Sequence, residues 1–112
     1  MSDEYYSLES FEPWSEQFNK FGYDLSELGL NETEKRINIV DESVPVYVLE
    51  IPADRYQLIS VNNGLEGLVY ESWESIDVVV DFTAGIVMLF HCKVVHDVYY
   101  INTCKLLDIK RF

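Results

Sequence analysis

Basic residues are scarce in this 112-residue chain: eight lysines and arginines stand against twenty aspartates and glutamates, for a formal net charge of −12. A deficit of that size repels nucleic acid and anionic membrane surfaces, and it speeds encounter with any basic partner. Direct nucleic-acid binding is therefore disfavoured, and the surface of a basic protein is the favoured partner. No apolar run approaches the roughly 18 residues of a membrane span. Met1-Ser2-Asp3-Glu4 carries neither the basic nor the apolar region of a secretory signal, so a cytoplasmic protein without membrane contact is expected. Cysteine is limited to Cys92 and Cys104. The two could face each other across neighbouring strands, but a reducing compartment favours two buried free thiols.

Catalytic and cofactor motifs are also lacking. His91, Cys92, His96 and Cys104 lie within fourteen residues. Neighbours on a strand point to opposite faces, so only Cys92, His96 and Cys104 could converge, at a spacing that fits no zinc pattern. Cys92 sits in an apolar run where ionisation of a thiol is suppressed, which argues against a nucleophile. Asp77 and Asp81 share a strand face, as paired carboxylates for acid-base or Mg²⁺ work would, yet no Lys or His at a defined offset completes such a site. Gly64 and Gly67 lack the lysine and following helix of a phosphate loop, and Glu66 would repel phosphate. The reading is a non-enzyme with no metal and no cofactor.

What is present is a folded composition, 48% hydrophobic with 14% aromatic residues, in one domain long enough to bury a core without staples. The apolar runs Val78–Val80 and Ile86–Phe90 flank Thr83-Ala84-Gly85, which predicts a hairpin buried on both faces as the centre of the fold. A helix over 86–96 is the competing period, and Gly85 with the valines tips the choice to strand.

Charge is uneven. Residues 1–34 hold nine acids and one base, Lys20, so two thirds of the excess lies in the first third of the chain. Phe11, Trp14, Phe18 and Phe21 recur there at spacings of three and four. With Ser10 as N-cap and Pro13 in the first turn, they predict a short amphipathic helix ending at Gly22. One further helical turn, Leu25 to Leu28, stops at Gly29. Strands are expected at Arg36–Val40, Val46–Ile51, Arg55–Val61 and Val98–Ile101, with a turn at Asp41-Glu42-Ser43 and another at Pro52-Ala53-Asp54 joining two of them. Asn62-Asn63-Gly64 forms a turn, residues 65–75 are read as strand in preference to helix, and residues 104–109 fit a last strand or a short helix. The sum is an α+β domain in which an N-terminal helical segment packs on one mostly antiparallel sheet of five to seven strands, with 1–34 the acidic helical part and 35–112 mainly β.

One local stretch has a familiar order. Val48-Leu49-Glu50-Ile51-Pro52-Ala53-Asp54-Arg55-Tyr56, then Gly64-Leu65-Glu66-Gly67-Leu68 and Trp73-Glu74-Ser75-Ile76, resembles the strand, turn, strand and helix start of effector-binding domains related to the gyrase inhibitor family. The resemblance implies a domain that binds small molecules or a protein target, with 66–76 helical.

The charge leads to a non-catalytic acidic inhibitor of a basic protein, an immunity protein against a nuclease-type toxin. Carboxylates would steer association and aromatics would anchor it. The candidate partner-binding residues are Glu9, Glu12, Glu16, Asp24, Glu27, Tyr5, Tyr6, Glu71 and Glu74. The alternatives are a nucleic-acid mimic that occupies a DNA-binding protein, or a small-ligand domain of the gyrase inhibitor type.

Overall fold

The computed structural model describes residues 5–61, 76–95 and 101–111. Its elements in chain order are β1 (Tyr5–Ser10), α1 (Trp14–Asn19), α2 (Leu25–Leu28), β2 (Asn31–Ile39), β3 (Glu42–Pro52), β4 (Tyr56–Val61), β5 (Ile76–Asp81), β6 (Ile86–Val95) and β7 (Ile101–Arg111). They form two antiparallel sheets, one ordered β1-β3-β2 and the other β4-β5-β6-β7. The expectation of an α+β domain with one helix on one sheet of five to seven strands is therefore wrong: the fold is mostly β, with two sheets and two short helices.

The central hairpin stands as expected. β5 and β6 pair from Asp81↔Ile86 to Ile76↔His91, and Gly85 takes the left-handed conformation that closes the loop (φ 69°). Asp81 organises that loop: its Oδ1 accepts the backbone N–H groups of Thr83 and Ala84, and its carbonyl accepts that of Gly85. Both faces of the hairpin are buried. Val79, Ile86, Met88 and Phe90 enter the main core, whereas Val78, Val80 and Leu89 enter a second cluster on the opposite face. Residues 104–109 are strand, within β7. A bulge at Leu107, between the pairs Leu89↔Asp108 and Phe90↔Leu106, lets Leu106 and Ile109 face the main core three residues apart while Leu107 turns to the second cluster.

Two local expectations shift. The N-terminal helix is one and a half turns, Trp14–Asn19, because residues 5–10 are taken by β1, which pairs with β3 from Tyr5↔Pro52 to Ser10↔Tyr47. Pro13, not Ser10, holds the N-cap position, and Ser10 Oγ instead accepts the Glu12 N–H. The strand expected at Arg36–Val40 begins earlier, at Asn31. It turns to β3 through Val40 and Asp41, both at positive φ, so the turn lies one residue before Asp41-Glu42-Ser43. The turn at Pro52-Ala53-Asp54 does not make a hairpin. β3 belongs to the first sheet and β4 pairs with β5 in the second, so these residues carry the chain from one sheet to the other. The helical turn at Leu25–Leu28 stands as expected, closed by Gly29 at φ 72°.

Helix α1 is the wedge between the sheets. Trp14 and Phe18 are fully buried, and the Trp14 ring meets Phe90 of β6 edge-on with centroids 5.6 Å apart. Its indole N–H donates to the Tyr47 carbonyl of β3 at 2.9 Å, so one side chain is tied to both sheets. Phe11 and Phe21, expected on the same stripe, stay more than a third exposed because the helix is too short to carry them inward. The β2 strand supplies the helix cap: Glu32 accepts the Ser15 backbone N–H and hydroxyl, a carboxylate placed at the positive end of α1. Among the described residues no helix is long and apolar enough to cross a membrane. The turn at 62–64, the strand reading of 65–75 and most of the strand at 98–101 fall outside the described residues.

Candidate functional site

The acidic residues divide between two places. Strand alternation puts Tyr5, Ser7 and Glu9 on one face of the first sheet, opposite the core face that takes Tyr6 and Leu8. Register sets Ser7 beside Glu50, which is itself opposite Asn31 on β2. Tyr5 and Glu9 thus share an outward face with Glu50, a carboxylate the sequence reading did not single out. Its signal was the alternation Tyr5-Ser7-Glu9 against Tyr6-Leu8-Ser10, a period of two that marks a strand. Tyr5 is exposed and Tyr6 packs against the main core, so only the first is placed to anchor a partner.

The second group lies on the helices. Glu16 on α1, and Asp24 and Glu27 at α2, are all exposed. Glu12 precedes α1 and is bridged to Lys20 at 2.8 Å, so its charge is answered within the chain. Glu71 and Glu74 lie outside the described residues.

The acid pair Asp77 and Asp81 does not form a site. The two are four residues apart on β5, roughly 13 Å along a strand, and each has its own neighbours. Asp81 is fully buried and bound to Arg55 at 2.7 Å. Burial pushes its carboxyl up, but the Arg55 hydrogen bond, the Ala84 and Thr83 N–H groups and the guanidinium charge outweigh this and hold it below the ordinary carboxylate value. Its hydrogen bond and charge in turn raise the Arg55 guanidinium further, against the opposing effect of burial. Next to them Tyr56 donates its hydroxyl to the Leu28 carbonyl at 2.9 Å, and burial pushes its phenol up to about 12. Register pairs Tyr56 with Asp81, and Arg55 lies 5.2 Å from the Tyr56 ring centre. The cluster joins α2, β4 and the β5–β6 turn, and every strong polar group in it is satisfied, which is the pattern of a structural network.

The cysteines also depart from expectation. Cys92 and Cys104 are not free thiols: they sit directly opposite on β6 and β7, with Cα atoms 4.0 Å apart, and are joined by a disulfide. The Asp77 carboxylate lies within 4.8 Å of both sulfurs. Sulfurs bonded to each other supply neither the nucleophile nor the thiolate ligands weighed above. His96, the third ligand weighed, lies outside the described residues.

No protein-family model matches the chain, and no curated protein or solved structure matches it either. The likeness to the gyrase inhibitor family stays confined to the short stretches that carry it. Of these, Val48–Ile51 is the end of β3 and Tyr56 starts β4 in the other sheet.

Proposed function

We propose that this protein is a non-catalytic acidic inhibitor that binds a basic protein, of the kind that neutralises a nuclease-type toxin. The observation that carries the reading is how the few bases are used. Lys20 and Arg55 bond Glu12 and Asp81 at 2.8 and 2.7 Å, and Arg36 and Lys110 lie 3.9 and 3.7 Å from Glu34 and Asp108. Arg111 lies over the Tyr23 ring. Glu9, Glu16, Asp24, Glu27, Glu42 and Glu50 then have no basic partner among the described residues. A nuclease must present a cationic cleft for phosphates, and unanswered carboxylates on a small rigid β scaffold suit that target through fast, steered association. Exposed Tyr5, on the face of Glu9 and Glu50, offers an aromatic anchor.

The test uses the full chain, tagged and captured with its partner at low salt. Replacing Glu9, Glu16 and Glu27 by Gln and Asp24 by Asn removes four charges without touching Glu12, whose bridge to Lys20 would otherwise be broken. The expected outcome is association with a basic protein that slows about tenfold in the variant at low salt, with dissociation little changed. An unchanged association rate would sink the electrostatic reading.

A further inference from the structure

A cavity with two lysines on its wall lies in this otherwise acidic molecule. Of about 370 Å³, it opens where the end of β1 and the approach to α1 meet β6 and β7, and its wall includes Ser10, Phe11, Glu12, Lys93, Thr103 and Lys105. The volume is in the range of small-molecule sites. Register explains the cationic side of its wall. His91 stands opposite Lys105 and Lys93 opposite Thr103, so the two lysines are diagonal neighbours across the β6–β7 ladder. Such neighbours lie about 7–8 Å apart, within reach of long side chains.

Like charges at that spacing repel each other unless something of opposite sign lies between them. The chain has twenty acids with which to supply it, yet neither Lys93 nor Lys105 makes an ion pair among the described residues. The one acid on the wall, Glu12, is engaged by Lys20 at 2.8 Å. Of the eight bases only Lys35, Lys93 and Lys105 have neither an acid partner nor a ring contact among the described residues, and two of the three line this cavity. The Ser10 and Thr103 hydroxyls on the wall are engaged within the protein, the first by the Glu12 and Gln17 N–H groups and the second by the Lys93 carbonyl, and Phe11, a third exposed, adds an apolar wall.

We infer that this pocket binds a small oxyanion, the phosphate or carboxylate head of a small organic molecule. Lys93 and Lys105 clamp its oxygens, and Phe11 covers the organic part. Apart from Glu12, which Lys20 engages, the site shares no residue with the acidic faces assigned above, and its fate does not depend on that reading. Lysine is a point charge on a flexible stem, so the two can converge on one tetrahedral or planar oxyanion without backbone movement.

The experiment is an amide chemical-shift titration of the whole protein with inorganic phosphate and, separately, with succinate, at constant ionic strength held by sodium chloride. Saturable shifts at residues 91–93 and 103–105 are expected with at least one of the two probes, and the probe that binds more tightly identifies the head group as phosphoryl or carboxylate. Lys93→Gln with Lys105→Gln, both exposed positions, should keep the spectrum of the folded protein and weaken binding at least about tenfold. Shifts that fail to saturate with both probes, or that survive in the double variant, overturn the assignment.

Discussion

The side-chain oxygen of Gln17 accepts the backbone N–H of Leu106 at 2.9 Å, while its amide nitrogen donates to Ser10 Oγ at 2.8 Å and to the Glu12 carbonyl at 3.0 Å. A buried residue of α1 thereby joins β1 of one sheet to β7 of the other, next to the bulge at Leu107. Backbone hydrogen bonds within each ladder cannot make that join, since the two sheets share none. Gln17→Ala removes three hydrogen bonds: the buried Leu106 N–H loses its acceptor, and Ser10 Oγ keeps only the Glu12 N–H. A loss of about 2–4 kcal/mol is expected in urea unfolding. Gln17→Glu should cost a similar amount, because a carboxylate cannot donate to Ser10 or Glu12.

Trp14 ties the sheets in a second way, and its contribution divides into ring and N–H. Trp14→Phe keeps most of the contact with Phe90 but removes the N–H that the Tyr47 carbonyl accepts, for an expected loss of about 1–2 kcal/mol. Trp14→Ala also empties the centre of the core and should cost about 3–5 kcal/mol or prevent folding. Equal losses in the two variants would show that the hydrogen bond carries the whole effect.

Asp81 predicts an acid limb. Its carboxyl is held below the ordinary value in the folded chain, so the unfolded chain binds the proton first. The stability it supplies is complete above the unfolded value of about 3.9 and is lost as pH falls through the folded one. Asp81→Asn should lower stability by about 2 kcal/mol at neutral pH, a figure at the low end for buried pairs because the Arg55 side chain is 39% exposed. It should also flatten the wild-type decline below pH about 4. Tyr56 gives the alkaline counterpart. Its phenol, at about 12 in the folded chain against an ordinary value of about 10, supplies stability present below pH 10 and lost as pH rises through 12. Ultraviolet titration of the native protein should find a tyrosine that ionises at pH about 12, and Tyr56→Phe should remove that step.

Gly29 couples the α2 terminus to the same network. It adopts φ 72°, and a Cβ at that position would lie 2.6 Å from Arg55 Nη1. Arg55 cannot simply move away, since its other nitrogen holds Asp81. Gly29→Ala should therefore cost about 1–2 kcal/mol in thermal unfolding, and less when combined with Asp81→Asn, which frees the arginine.

Val40 stands at φ 47°, a conformation costly for a β-branched residue, and the residue is 62% exposed. With Asp41 it forms the two-residue turn between β2 and β3, where asparagine is favoured. Val40→Asn is expected to raise stability by about 0.5–1 kcal/mol, with no change in the β2–β3 register by amide exchange.

Local signals decided a recognisable part of this protein. Valines around Gly85 specify the β5–β6 hairpin, Leu25–Leu28 closes at Gly29, and the excess of acids in the first third is a property of composition. In each case the information lies within a few residues, because a turn, a cap or a charge acts over that distance. Tyr5–Ser10 also alternated legibly, but the aromatic spacing from Phe11 onward competed with it, and its partner β3 lies some forty residues away. The split into two sheets was decided only by tertiary structure. Pro52–Arg55 reads as a hairpin turn whether the chain returns to β3 or crosses to a new sheet, and the outcome depends on long-range pairs: β1 filling the edge of β3, and β5 claiming β4. The disulfide, the capping of α1 by Glu32 and the meeting of Lys93 with Lys105 have the same origin. Each needs a register between strands, which follows from burying the side chains of both sheets at once and is written in no single segment.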